Sequence, residues 1–153
     1  MRYNKFMRKG LTLIEIVISV ALITVVVGIG LIAGNPGGQL AKARNSQRQF
    51  HLQAVMNGIR QKMADTSGGA FTCSAGAIPT TSTKMAVSSY NIAPCLIPTY
   101  VPTMPFDPSA TGAHFSSTTD YDSGYNILRN ASTGQITVSA PSAELNQTIS
   151  VTR

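Results

Sequence analysis

The sequence predicts an α+β fold, in which a long N-terminal stem helix is followed by a small antiparallel β-sheet head. Residues 11–33 form an apolar run whose length at helical rise spans about 30 Å. Residues 39–65 return to helical periodicity with one apolar stripe, and residues 125–153 contain β-prone runs separated by turn residues. The 153 residues suffice for one small domain, so a second globular domain is not expected.

Most of the excess positive charge lies at the N-terminus. The formal net charge is +6, and four basic residues, Arg2, Lys5, Arg8 and Lys9, fall within the first ten positions. Without that segment eight basic residues face six acidic ones, and this balance of +2 gives no indication of nucleic-acid binding. Only 12% of residues are charged, and Ser, Thr, Gly, Asn and Pro dominate the C-terminal part, as is typical of an exposed, secreted surface.

The apolar run of residues 11–33 is predicted to cross a bilayer. A cleaved secretory signal normally has an apolar stretch of about 7 to 15 residues before a small-residue cleavage site, so this run is long for that role. Ala41 and Ala43 form an A-x-A pattern, which keeps the signal-peptide interpretation open. Basic residues flank the run on both sides, so the positive charges do not fix its orientation.

Glu15 is the only ionisable side chain in this run. A charge at the centre of a membrane helix costs about 2.5 to 3.5 kcal/mol on insertion scales, and less near an interface. Glu15 could lie at headgroup depth, solvated and without a role. Alternatively, cleavage after Gly10 would create an α-amino group on Leu11 that is cationic at physiological pH. In one straight helix that amine is about 6 Å of axial rise away, whereas a neighbour shifted along the axis could place its amine against Glu15.

Residues 8–15, RKGLTLIE, resemble the prepilin processing motif of type IV pilins and type II secretion pseudopilins. That motif is a short basic leader ending in Gly, then an aromatic or apolar residue, Thr, Leu, Ile and Glu, then a long apolar run. The resemblance implies that residues 1–10 are a leader, that a membrane aspartyl peptidase cuts after Gly10, and that Leu11 becomes a methylated N-terminus. It assigns Leu11, Thr12 and Glu15 to filament assembly, with Glu15 neutralising the N-terminus of a neighbouring subunit. The chain departs from the commonest pattern at Leu11, where the family usually has Phe.

The resemblance also implies a type IV pilin-like fold, a set of partners and a location. The partners would be copies of the chain itself in a helical filament, the prepilin peptidase and the inner-membrane pilus assembly machinery. Before assembly the membrane itself would hold the chain. The precursor would be a single-pass protein of the inner or cytoplasmic membrane, and the assembled protein would form an extracellular pilus filament.

Residues 34–38, GNPGG, are predicted to interrupt the stem helix. Pro removes a backbone donor and Gly costs about 1 kcal/mol against Ala, so we expect a kink or extended backbone. A membrane helix that stops before a separate soluble helix begins would also fit.

In residues 39–65 the apolar stripe is predicted to pack against the head, with the basic and amide side chains largely elsewhere. The stripe is Leu52, Val55, Met56, Ile59 and Met63, and the polar set is Lys42, Arg44, Gln47, Arg48, Gln49 and Arg60.

Residues 66–124 contain most of the prolines and are predicted to be a long loop region, and such loops are usually functional or stapled. Cys73 and Cys95 are the only cysteines. In an exported chain they most simply form one disulfide, worth about 3 kcal/mol in the chain-entropy model, with two free thiols as the alternative. Without a nearby His or carboxylate cluster they do not make a zinc site. Residues 102–108, PTMPFDP, resemble the turn that precedes the sheet in pseudopilins and some pilins.

The head is predicted to be a three-stranded antiparallel meander within residues 125–153, with strands at 125–128, 136–140 and 148–152. Asp120 and Asp122 precede it in a DYDSG segment. Some pseudopilins hold calcium in such a loop, but a solvated turn is the favoured interpretation. Asn130 and Asn146 match the N-glycosylation pattern, which a chain rich in Ser, Thr and Asn also matches by chance.

The sequence contains no recognisable catalytic constellation. His51 and His114 are isolated, and neither a nucleophile with a base nor a phosphate-binding Gly loop is found. We therefore expect no enzyme activity and no cofactor. The expected function is that of a structural pilus subunit serving adhesion, twitching motility or DNA uptake. A type II secretion pseudopilin and a monomeric membrane-anchored or secreted binding protein are the alternatives.

We predict that the mature protein begins at Leu11 with a monomethylated amine, because the basic leader, Gly10 and the apolar run together resemble a processing site. Mass spectrometry of the N-terminal peptide of the exported protein measures this directly. A Gly10→Glu variant should retain its leader, because the resembled motif requires Gly before the cut. An exported protein that starts at Met1 or near Gln39 would contradict the prediction.

Overall fold

The computed structural model describes residues 10–33 and 35–153. Residues 1–9 of the predicted leader lie outside the described part of the chain, as does Gly34 of the predicted break. The chain divides into two compact units, Met1–Gln39 and Leu40–Arg153. We call the second unit the head domain.

Helix α1, Leu13–Ala33, belongs to the first unit. Its sequence, LIEIVISVALITVVVGIGLIA, is apolar on all sides, so no single face is distinguished. Every large apolar side chain from Leu13 to Ile29 is at least 50% exposed. The predicted N-terminal apolar helix is therefore confirmed, and its apolar surface is uncovered.

Helix α2, Pro36–Asp65, begins earlier than predicted. Residues 36–38 are helical, so the extended backbone expected over 34–38 is wrong for these three residues. A helix start signal explains the difference. Asn35, at a φ of 38°, accepts the N–H of Gly38 on Oδ1 at 3.1 Å. Pro36 takes the first helical position, where an N–H would have no helical partner in any case.

The predicted apolar stripe of α2 lies in the core of the head domain. Leu52, Val55 and Ile59 are fully buried, Met56 is 1% exposed, and Met63 packs at the margin. Burying a large apolar side chain stabilises a fold by about 1.5–3 kcal/mol, so the stripe holds α2 firmly against its neighbours. The principal side chains of the rest of this core are Ile78, Met85, Ile92, Leu96, Met104, Tyr121, Tyr125, Ile127, Ile136 and Val138.

The sheet of the head domain has five antiparallel strands. They are β1 Thr83–Ala86, β2 His114–Ser117, β3 Asp120–Arg129, β4 Ile136–Ala140 and β5 Ile149–Thr152. The strand order is β1-β3-β4-β5, with β2 also paired to β3. Val138 of β4 pairs with Ile127 on one side and Val151 on the other, so the predicted meander is present as part of a larger sheet. The α+β class is thus confirmed.

The loop region predicted for residues 66–124 is more regular than expected. It contains β1, the short helix α3, Ala93–Leu96, and β2, and β3 starts at Asp120 rather than at Tyr125. The two four-residue strands owe their regularity to pairing with β3, which lies far along the chain and which local propensity does not reveal. Gly124 has a φ of 70° inside β3, so residues that look like a turn in the sequence lie within a strand.

Cys73 and Cys95 form a disulfide, with their Cα atoms 5.5 Å apart. The predicted pairing is confirmed, and the alternative of two free thiols is wrong. The bond joins the segment after α2 to α3. It therefore cross-links a part of the predicted loop region that contains little regular secondary structure.

We predict that Gly58→Ala destabilises the head domain. A Cβ at Gly58 would meet Cγ2 of Val101 at 2.5 Å, and Val101 is 5% exposed and stiff about χ1. The overpacking cost, typically about 1–3 kcal/mol, should exceed the gain in helix propensity and lower the free energy of unfolding by about 1 kcal/mol. Urea unfolding measures this. Asn57→Ala, on the exposed side of α2, is the matched control and should change stability by less than about 0.5 kcal/mol. A Gly58→Ala protein as stable as the parent would contradict the prediction.

Candidate functional site

Thr12 caps the N-terminus of α1. Its Oγ1 accepts the N–H of Glu15 at 3.3 Å, and its carbonyl accepts the N–H of Ile16 at 3.2 Å. Thr12 and Glu15 have the Thr-x-x-Glu spacing of a capping box, so the RKGLTLIE segment is also a helix start. Gly10 and Leu11 precede the helix as exposed residues. The predicted cleavage position therefore lies in accessible, non-helical backbone.

Glu15 lies in the first turn of α1, where its side chain is exposed. Across residues 10–33 and 35–153 the structure gives this carboxylate no ion pair. The positive end of the helix dipole favours it by about 0.3–1 kcal/mol, less than the cost of about 2.5–3.5 kcal/mol for a charge in hydrocarbon. The helix itself therefore offsets only part of the cost, and a cation from elsewhere would offset the rest where Glu15 leaves water as a carboxylate.

The surface of α1 has the length and composition of a membrane span. Residues Leu13–Gly30 have a mean hydropathy of 2.6, and none of them is buried. In the described part of the chain this is the single helix with these properties. A signal sequence near the N-terminus would have them too, so α1 is compatible with either a membrane anchor or a signal.

A buried ionic cluster in the head domain was not predicted. The guanidinium of Arg48 is fully buried and contacts both carboxylate oxygens of Asp107, with Nε–Oδ2 at 2.7 Å and Nη2–Oδ1 at 3.0 Å. Nη2 also donates to Oγ of Ser109 at 2.6 Å. Nη1 donates to Oδ1 of Asn45 at 2.7 Å and to Oε2 of Glu144 at 3.0 Å. Placing Arg48 on the polar face of α2 was therefore wrong.

Glu144 extends the cluster towards the surface from the loop between β4 and β5. Arg44 holds its carboxylate with two bonds, Nε–Oε2 at 2.7 Å and Nη2–Oε1 at 2.6 Å. Asn45 binds its backbone, accepting the N–H on Oδ1 at 3.0 Å and donating Nδ2 to the carbonyl at 2.8 Å. Three residues on two adjacent turns of α2 therefore fix this loop.

The arginines keep both carboxylates of the cluster ionised. Hydrogen bonds from Arg44, and then from Arg48, lower the pKa of Glu144 to about 2. Burial alone would raise the pKa of Asp107. The bonds from Arg48 and from the backbone N–H groups of Ser109 and Ala110 outweigh burial, so this pKa lies below its ordinary value. At neutral pH the buried guanidinium therefore faces two negative charges.

The sequence contained a signal for the position of Arg48. It lies four residues before Leu52 and seven before Val55, so the periodicity of the stripe itself places Arg48 on the buried side of α2. Its charge argued for the opposite face, because a buried charge requires a partner. Asp107, 59 residues further along the chain, is that partner. The pairing of Asp107 with Arg48 cannot be recognised before the fold is known.

Asp120 and Asp122, the candidate calcium ligands, lie in strand β3 rather than in a loop. Asp122 pairs with Nζ of Lys84 at 2.8 Å, and Asp120 contacts Nε2 of His114 at 3.1 Å. Within the described residues no group of three or more His, Cys, Asp and Glu side chains is arranged to hold a metal ion. Each candidate carboxylate thus has a basic partner, and calcium binding by this pair stays a prediction.

The two asparagines of the glycosylation pattern both lie at exposed turns. Oδ1 of Asn130 accepts the N–H groups of Ser132 at 2.9 Å and Thr133 at 3.1 Å, after β3. Asn146 has a φ of 55° in the loop between β4 and β5. Both positions are on the surface, and their glycosylation stays a prediction.

The structure thus places Gly10, Leu11, Thr12 and Glu15 together at the start of α1. The disulfide and the ionic cluster belong to the head domain. Comparison with protein-family models, with curated proteins and with solved structures finds no match to this chain. Function is therefore inferred from the residues of the chain itself.

We predict that acid weakens the head domain. Folding lowers the pKa of Asp107 and of Glu144. The stability that these two carboxylates contribute to the head domain is therefore fully present above the ordinary carboxyl pKa of about 4. It is lost as the pH falls towards the folded pKa, which is about 2 for Glu144. Urea unfolding between neutral pH and pH 2 should show constant stability first and a decline below about pH 4.

Two variants test the origin of that decline. Asp107→Asn leaves Arg48 buried without its main partner, so it should lower stability at neutral pH by about 3 kcal/mol and flatten the acid decline. Asp65→Asn, at an exposed carboxylate outside the cluster, should leave both unchanged. An acid decline of the same size in Asp107→Asn and in the parent would contradict the assignment.

Proposed function

We propose that this chain is a structural subunit of an extracellular filament of the type IV pilus kind, assembled through α1 after cleavage behind Gly10 and methylation of Leu11. The RKGLTLIE segment, which resembles the prepilin processing motif, supports the proposal. The observation that carries it is an uncovered apolar helix whose first turn contains Glu15, a carboxylate with no ion pair to any residue that the structure describes.

The exposure of α1 argues for an apolar surrounding. Each large apolar side chain from Leu13 to Ile29 leaves at least half of its surface uncovered, and water is an unfavourable environment for so much apolar area. The helix is apolar all round, as expected of a helix enclosed on every side. Lipid would supply this enclosure before assembly, and the same helix of other subunits would supply it in a filament.

Glu15 argues for a filament rather than a permanent single anchor. The α-amino group of Leu11 would have an ordinary pKa of about 7.7–8.0 and would be cationic at neutral pH. Within one helix the two charges are separated by about 6 Å along the axis. A neighbouring subunit displaced by that step would bring amine and carboxylate together. A desolvated charge is tolerated where its partner is present, so this contact would favour one axial register.

The head domain fits the outer part of such a subunit. Its disulfide is typical of proteins exported to an oxidising space. Its turns are rich in exposed hydroxyl and amide side chains, and the Arg48 cluster and the apolar core stabilise it internally. A pseudopilin would share all these features. A monomeric anchored binding protein would share these features too, but Glu15 would have no role between subunits in it.

We predict that Glu15 is required for assembly and not for membrane insertion. Glu15→Leu and Glu15→Gln should reach the membrane fraction at least as well as the parent, because each removes a charge from the apolar helix. Their yield of sheared filaments should fall at least tenfold, and Glu15→Lys should be the most defective, because it opposes two cations. The measurement pairs membrane-fraction abundance with filament yield and electron microscopy.

Ser19→Ala is the matched control, since Oγ of Ser19 donates to the carbonyl of Glu15 at 2.7 Å within the same helix and carries no charge. It should assemble normally. Normal filament yield from Glu15→Leu would show that the carboxylate is not the assembly contact and would favour the monomeric anchor. A processed protein with no surface filaments at native expression would favour the pseudopilin.

A further inference from the structure

The head domain has a groove between the last turns of α2 and the turn that joins β3 to β4. It consists of two adjoining cavities of about 350 Å³ and 300 Å³, which share Met63, Gly134 and Ile136. The first continues along residues 68–71, and the second runs towards the end of β5. Each cavity is of the size that holds a few side chains of a ligand.

The floor of this groove is apolar. Met56, Ile78 and Ile136 are buried to at least 96%, and Met63 and Phe71 pack on the core with part of their surface accessible. An apolar side chain bound there would lose water-exposed area against a surface that is already fixed by the core. The floor therefore suits aliphatic or aromatic groups.

The rim of the groove is basic. Arg60 of α2, Arg129 at the end of β3 and Arg153 after β5 line its two cavities. Among the described residues none of these three guanidinium groups forms an ion pair with a carboxylate. The side chain of Arg129 leans towards the turn, where Nη2 would be 3.7 Å from a Cβ on Gly134. Three elements thus converge three cations on one apolar groove.

The head domain has few carboxylates of its own to offer such a groove. The chain has six acidic residues, of which Glu15 lies in α1. Four of the remaining five are bonded to basic partners: Asp107, Asp120, Asp122 and Glu144. The fifth, Asp65, is a single exposed carboxylate at the end of α2. Among its described residues a second head domain would therefore present one carboxylate without a basic partner against three guanidinium groups, so we expect the complementary anions on a different molecule.

Backbone groups beside the groove favour an extended peptide. Residues 70–72 lie outside the helices and strands, and within the described chain their N–H and C=O groups take part in no backbone hydrogen bond. Ala70 and Phe71 line the first cavity. An extended chain laid along them could form main-chain hydrogen bonds and direct alternate side chains to the floor and to the rim.

We propose that this groove binds an extended acidic peptide segment of a partner protein, in which Asp or Glu alternates with apolar residues. Carboxylates of the segment pair with Arg60, Arg129 and Arg153, and its apolar side chains cover Met63 and Ile136. Duplex nucleic acid would satisfy the arginines but would leave the apolar floor uncovered, because its outer surface is phosphate and sugar.

The test uses the full chain in non-ionic detergent and a fluorescein-labelled peptide of alternating Glu and Leu. Fluorescence anisotropy, referenced to protein-free micelles, should show saturable binding that weakens with added salt. Replacing Glu by Gln, or Leu by Ser, in the peptide should weaken binding at least tenfold. Each of Arg60→Gln, Arg129→Gln and Arg153→Gln should weaken it about fivefold, as expected for partly exposed ion pairs.

Two controls complete the design. Lys42→Gln removes a cation from α2 outside the groove and should leave the dissociation constant unchanged. Ala70→Glu places a carboxylate at the exposed edge of the groove and should abolish binding, whereas Ala70→Lys should preserve it. Equal affinity for the Glu and Gln peptides, or equal loss in Lys42→Gln and Arg60→Gln, would overturn the proposal. So would a duplex DNA probe that binds through the same arginines while the Glu-Leu peptide does not.

Discussion

Arg48 is a fully buried cation, and the arrangement of the head domain depends on satisfying it. Its donors are divided between Asp107 and Ser109 of the turn before β2, Asn45 of its own helix, and Glu144 of the loop between β4 and β5. A buried charge that loses a partner costs several kcal/mol, so these segments must adopt their native positions together. The polar end of the head domain is therefore specified by one side chain of α2.

Apolar packing specifies the other end of the same helix. Leu52, Val55, Met56 and Ile59 of α2 are buried in the core that the helix shares with the sheet, and this burial supplies the larger, non-directional part of the stability. The ionic cluster adds directional bonds that a purely apolar contact lacks. The two together fix both the rotation of α2 about its axis and its position along the sheet.

Sequence patterns predicted those elements whose signal is local. The apolar stripe of α2 follows from helical spacing, and β4 occupies the predicted residues 136–140 because its alternating β-branched side chains are bounded by turn residues. The RKGLTLIE segment resembles a processing motif, and its equally local Thr-x-x-Glu helix cap was not predicted. The same oversight applies to Asn35 and Pro36, whose composition suggested a break and whose geometry starts a helix.

The features that sequence reasoning missed depend on contacts between distant residues. Strands β1 and β2 have weak local propensity and form because β3 offers them backbone partners. The spacing of Arg48 places it on the buried stripe of α2. A buried guanidinium is stable there only because Asp107 and Glu144 pair with it, and the fold alone brings these residues near. The groove with Arg60, Arg129 and Arg153 combines three separate elements in the same way.

The cap at Thr12 has a consequence for the proposed cleavage after Gly10. The described hydrogen bonds that start α1 use Thr12 and residues after it, and none uses Gly10 or Leu11. Cutting the peptide bond between Gly10 and Leu11 would leave the start of the helix unaltered. It would remove the four cations of the leader and leave one ammonium group in their place. Maturation would then change the charge beside the apolar helix without changing its conformation, so the conversion would require no refolding.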